Sequence, residues 1–140
     1  MNRTSLTRLG LSSAEAAALV GDAPGVKLVV LFGSVARGQA RPDSDADIAI
    51  LGGEFWDGLR IGAAIGARLG REPHVVDLGT ANDLLRFQAA REGILLHEGE
   101  PDAWVRFQAE SAVRYFDIAP LIAQCAAGAR RRLAREAGHG

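Results

Sequence analysis

The sequence predicts a single α/β (α+β) domain, a small sheet flanked by helices, with a helical extension at its C-terminal end. Short apolar, β-branched runs alternate with stretches whose apolar residues recur at helical spacing. The 140 residues suffice for one hydrophobic core and not for two full domains. No low-complexity linker or internal repeat interrupts the chain, so residues 1–99 are expected to form the core and residues 100–140 an extension packed on it.

The first helix signal is Leu11-Ser12-Ser13-Ala14-Glu15, where Ser12 or Ser13 caps an alanine-rich run to about Val20. Asp22, Pro24 and Gly25 end it. Val26 to Phe32 is almost wholly apolar and bounded by turn residues, which predicts a buried strand at the sheet centre. After a polar loop over Gln39 to Ser44, Asp45, Asp47, Ala49 and Leu51 alternate with Ala46, Ile48 and Ile50 as in a second strand. From Glu54 to Leu69, the positions Phe55, Leu59, Gly62, Ile65 and Leu69 mark the expected buried face of a helix, with glycines that weaken it. His74 to Leu78 is a third strand with Asp77 near its end. Thr80 or Asn82 caps a helix to Glu92, Gly93 punctuates, and Ile94 to His97 makes a short fourth strand. Pro101 suits the first turn of a final helix through Trp104, Phe107 and Phe116, which Pro120 kinks or divides. The order of the strands is not readable from one sequence.

Composition narrows the function classes. With 48% hydrophobic and 24% charged residues the chain is an ordinary globular protein, neither disordered nor fibrous. A formal charge of −1 provides no long-range field to gather nucleic acid or anionic lipid, so any phosphate chemistry must be local. The first ten residues lack the apolar core of a secretion signal, and no apolar stretch approaches bilayer length. A cytoplasmic location without a membrane partner is therefore expected. Cys125 is the only cysteine, which excludes an internal disulfide or a multi-thiolate zinc site; it is expected as a small core residue.

The informative stretch runs from Leu31-Phe32-Gly33-Ser34 through Arg37-Gly38 to Asp43-Ser44-Asp45-Ala46-Asp47-Ile48. A buried strand ending in Gly33-Ser34 can turn sharply, bring amide donors close to a ligand and offer a hydroxyl to a phosphate oxygen. Asp45 and Asp47 lie two apart at the start of a strand, so both side chains should project from one face. Two carboxylates so close repel, and a divalent cation between them converts repulsion into coordination. Oxygen ligands beside phosphates suit magnesium. Asp77, an acid among apolar strand neighbours, is the natural third ligand. The segment is not a P-loop, since Gln39-Ala40 stands where Lys and Ser or Thr would be required after Gly33 and Gly38.

Gly33-Ser34, ten residues, then Asp45-Ala46-Asp47 between two apolar strands resembles the defining motif of the DNA polymerase β-like nucleotidyltransferase superfamily. Leu31 to Ile50, with Asp77 in a Val-Asp-Leu strand, is more specifically similar to the minimal nucleotidyltransferases that partner HEPN-domain ribonuclease toxins as antitoxins. The resemblance covers nearly the whole chain. It implies a nucleotidyltransferase fold with a small mixed sheet. It also implies that Gly33 and Ser34 hold triphosphate oxygens, that Asp45, Asp47 and Asp77 bind two magnesium ions, and that Arg37 either contacts phosphate or pairs with a surface acid such as Asp43. The implied activity is transfer of AMP from ATP to a tyrosine of the partner toxin, with release of pyrophosphate. About forty residues follow Gly99, too few for the acceptor-binding domain usual in enzymes that modify aminoglycosides, so a protein partner is expected to wall the site. An antitoxin acting by binding alone, or a small-molecule nucleotidyltransferase, is the competing expectation.

The remaining candidates have plainer explanations. His74, His97 and His139 are isolated and are expected to be ordinary surface or core histidines. Trp104, Phe107, Tyr115 and Phe116 have the periodicity of a core-packed helix more than of a docking face. Arg130, Arg131, Arg132 and Arg135 crowd a helix end, where positive charge is favourable and commonly solvated.

Overall fold

A computed structural model describes residues 3–138 of the chain. Four strands and six helices follow in the order α1 (Arg3–Arg8), α2 (Ser13–Val20), β1 (Val26–Phe32), α3 (Gly33–Arg37), β2 (Ala46–Gly52), α4 (Phe55–Leu69), β3 (Pro73–Asp77), α5 (Asp83–Glu92), β4 (Ile94–Glu98) and α6 (Ala103–Gly138). The strands make one mixed sheet in the order β3-β2-β1-β4. β1 is antiparallel to both neighbours, whereas β2 and β3 run parallel. A parallel pair needs a crossover, and α4 provides it.

β1 is interior, as its unbroken apolar sequence predicts. Val29 and Leu31 join one core with Leu6, Val20, Ile48, Ile50, Ile61 and Ile65. Leu28, Val30 and Phe32 join a second core with Ala49, Leu78, Ala89, Leu95 and Phe107. The sheet is thus filled from both sides, by α1, α2 and α4 on one and α5 and the start of α6 on the other. Because strand side chains alternate, a one-residue slip would exchange the two cores, so register is strongly fixed.

Local chemistry explains the helix ends. Ser12 Oγ accepts from Glu15 N–H while Glu15 Oε1 accepts from Ser12 N–H, a reciprocal capping box. Asn82 Oδ1 accepts from Leu85 N–H at 2.8 Å, so Asn82 rather than Thr80 caps α5. α1 and α3 add helical turns where the sequence suggested none.

The helix between β2 and β3 corrects one expectation. Its buried residues are Ile61, Gly62, Ile65 and Gly66, while Phe55 and Leu59 are exposed. The glycines, which weaken a helix in isolation, line the contact: a Cβ on Gly62 would lie 2.4 Å from Val75 Cγ2, and one on Gly66 2.8 Å from the Arg71 carbonyl oxygen. They set the close approach of helix to sheet. A smooth hydrophobic stripe would not have done so.

α6 is one continuous helix with Pro120 inside it, and Pro101 stands two residues before its start. Ala103, Phe107 and Ser111 are buried, Trp104 packs on the same core, and Tyr115 stacks on Phe87 at 4.0 Å. Phe116 is exposed, as are Arg130, Arg131, Arg132 and Arg135. Cys125 is also exposed, because it lies on the part of α6 beyond the sheet, and is not the core residue expected. Arg86 of α5 is buried. Its guanidinium donates to the Leu78 carbonyl and lies 5.0 Å above the Phe107 ring, tying α5, the end of β3 and α6 together. Burial first, then nearby Arg114, pushes its pKa below the ordinary arginine value. Among the described residues no helix is long and apolar enough to cross a membrane.

Gly62→Ala tests the α4 contact. Alanine gains roughly 1 kcal/mol over glycine in an open helix, whereas overpacking costs about 1–3 kcal/mol. With Cβ at 2.4 Å from a stiff valine the clash prevails. Urea unfolding should show G62A less stable than wild type, and added V75A should recover part of the loss.

Candidate active site

The site forms where β1 ends and β2 begins. In the antiparallel β1–β2 pair Phe32 faces Asp47, so Gly33 turns away from the strand directly beside the Asp47 side chain. Gly33 has φ +77°, and a Cβ there would lie 2.2 Å from Asp47 Oδ2. Both conditions call for glycine. Ser34, half-buried, follows in the first turn of α3, which Gly38 ends in the left-handed conformation. Asp45 is exposed and immediately precedes β2, while Asp47 is the second residue of the strand with its side chain 27% exposed. Gly33 and Asp47 therefore lie side by side, with Ser34 next to Gly33 and Asp45 two residues before Asp47 along the chain.

Arg37 is adjacent but committed. Its guanidinium donates to both carboxylate oxygens of Glu92 at 3.2 and 3.0 Å and to Gln39 Oε1 at 3.3 Å. Glu92 Oε1 also accepts from Gly33 N–H at 3.3 Å. Of the two roles considered, the structure shows pairing with an acid, and the acid is Glu92, not Asp43. Glu92, at the end of α5, was not anticipated: its 55-residue separation from Arg37 leaves no local signal.

Asp77 does not join the group. In the parallel β2–β3 register Asp47 pairs with His74, and Asp77 pairs with Ile50 three positions further on. At about 3.3 Å per residue that offset is roughly 10 Å along the strands. The odd offset also puts Asp77 on the opposite face from Asp47. There its Oδ1 accepts from Gly79 N–H at 2.8 Å, and it lines a separate pocket of about 460 Å³ with Ile50, Phe55, Leu59 and Val75. The position beside Asp47 belongs to His74, whose Nδ1 is 3.0 Å from Asp47 Oδ1. The sequence treats His74 as ordinary because nothing in it discloses a parallel register.

The Asp47 carboxylate fits a hard divalent cation, since magnesium is commonly held by one or two carboxylates together with substrate phosphates and water. The glycine at 33 keeps the space next to Asp47 Oδ2 free of a side chain. A three-carboxylate cage is another matter: among the described residues no three His, Cys, Asp or Glu side chains converge as metal ligands.

The sequence model of the family described as "Polymerase beta, Nucleotidyltransferase" matches residues 16–102, well over half of the chain and all of the site. The chain belongs to this family. Structures agree on the fold. A chain of a mutant MntA–HpeT toxin–antitoxin complex superposes on this nucleotidyltransferase with a TM-score of 0.64 at 22% identity, covering 82% of this chain and 98% of that one. A toxin–antitoxin structure with AMP-PNP gives 0.60 at 22%, covering 89% and 98%. A complex of a tri-AMPylated Shewanella oneidensis HEPN toxin with its MNT antitoxin gives 0.55 at 19%, covering 86% and 98%. No curated protein matches the chain.

Saturating nucleotide binding stabilises a folded protein by about 2.7 kcal/mol at one hundred times Kd. Thermal unfolding with ATP and magnesium should therefore show a rise in Tm for wild type and for Asp77→Asn. Gly33→Ala and Asp47→Asn should lose it.

Proposed function

We propose that this nucleotidyltransferase transfers AMP from ATP to a tyrosine hydroxyl of a HEPN-domain toxin and thereby acts as an antitoxin. The observation that carries the reading is the seating of Asp47 against Gly33 inside the segment that matches the family. Support for the acceptor comes from the fold neighbours that include a tri-AMPylated HEPN toxin.

In this reading residues 1–99 are the catalytic core and residues 100–140 its helical extension. Ser34 binds a triphosphate oxygen through its hydroxyl, and Gly33, whose N–H is engaged by Glu92, keeps the approach to the phosphates free of a side chain. Asp45 and Asp47 hold magnesium, which when bound neutralises phosphate charge and polarises the α-phosphorus. The acceptor oxygen forms a bond to the α-phosphorus as the bond to the bridging oxygen of pyrophosphate breaks, and the hydroxyl proton leaves through the carboxylate pair to solvent. The chain's contribution is chiefly to position and orient the two reactants. Asp77 has no part, being on the other face of the sheet. Arg37, held by Glu92, acts by fixing the end of α5 against Gly33.

A second reading has one observation in its favour. The placing of Asp77 on the opposite face from Asp47 suits an antitoxin that works by binding alone. Intact-mass spectrometry of a HEPN toxin incubated with the chain, ATP and magnesium separates them. Transfer predicts a mass increase of one or more AMP units that disappears with Asp45→Asn or Asp47→Asn. Inhibition of the toxin without any mass change would establish binding alone.

A further inference from the structure

The residue facing Asp47 across the β2–β3 pair is a histidine, and its ring nitrogen Nδ1 is 3.0 Å from Asp47 Oδ1. Two adjacent ligands of an octahedral ion with bonds of 2.0–2.1 Å are separated by about 3 Å, so nitrogen and oxygen are spaced as two corners of one coordination shell. The contact has little value for stability. His74 is 64% exposed, and solvated pairs of this kind contribute little. Nor does packing impose it, since the β3 edge leaves the ring free to turn into solvent.

From this geometry we infer that His74 is a metal ligand: the cation is held by the Asp47 carboxylate and the His74 imidazole, completed by nucleotide phosphate, and prefers manganese(II) to magnesium. Imidazole nitrogen is a borderline donor that suits first-row transition ions, while magnesium favours oxygen throughout. Asp77 cannot compensate, because its carboxylate lies on the opposite face, hydrogen-bonded to Gly79. The inference rests on the nucleotide site proposed above but concerns which ion occupies it.

The test uses the full chain with manganese(II) and AMP-PNP, read by pulsed electron paramagnetic resonance. Wild type should show nitrogen-14 modulation from a coordinated imidazole. His74→Ala should lose it and His97→Ala should keep it. His74→Asp should shift the site back towards oxygen, lowering the ratio of manganese to magnesium affinity several-fold in calorimetric titration. Bound manganese without nitrogen modulation, modulation that persists in H74A, or no manganese binding by the folded wild type would each overturn the assignment. Should the variants fold poorly, wild type labelled with nitrogen-15 histidine keeps the test: the modulation should change to that of nitrogen-15, and an unchanged nitrogen-14 signal, from the imido bridge of AMP-PNP, would overturn the assignment. A nitrogen-free spectrum would leave AMP transfer standing, whereas nitrogen ligation without transfer to a toxin would leave the metal site standing and remove the transferase reading.

Discussion

The close passage of the Gly33 backbone past the Asp47 carboxylate is the constraint from which the rest of the site follows. Asp47 is flanked on its own strand by Ala46 and Ile48, both fully buried, and faces Phe32 across the sheet. Neither neighbour offers it a polar partner. The carboxylate is kept there because β1 is packed on both faces, and shifting the register to release Asp47 would turn two cores inside out. Hydrophobic packing thus holds an acid at a strand mouth where a side chain at position 33 would collide with it.

The two ends of the sheet have separate characters. At the start of β2 the surface is polar and built around Asp45, Asp47, Ser34 and His74. At its other end Gly52 and Gly53, both with positive φ, turn the chain into α4 and border an apolar pocket that includes Asp77, Phe55 and Leu59. The same parallel register that brings His74 to Asp47 sends Asp77 to that pocket. One pairing therefore decides both the ligand set of the candidate site and the chemistry of the opposite end.

Much of this was legible in the sequence. The limits of β1 follow from an apolar run between turn residues, and the meeting of Gly33 with Asp47 follows because the chain leaves one strand and, through α3 and a polar loop, enters its antiparallel neighbour. What was not legible depends on distant pairing. The apolar strand setting of Asp77 points to it as the third acid, yet which residue of that strand faces Asp47 is set by a crossover of about twenty residues, whose register no local pattern encodes. The bond from Glu92 to Gly33 and Arg37 was hidden for the same reason. On α4 the expected face holds at Gly62 and Ile65 but not at Phe55 and Leu59, which are exposed, because the helix approaches Val75 through its glycines and turns its first apolar residues outward.

A crystal grown with AMP-PNP and manganese(II), with anomalous diffraction collected to locate the ion, examines the central claim most directly. The anomalous peak should fall within bonding distance of the Asp47 carboxylate, with the triphosphate lying along Gly33 and Ser34. A peak at Asp77, or nucleotide bound away from the Gly33 bend, would contradict it.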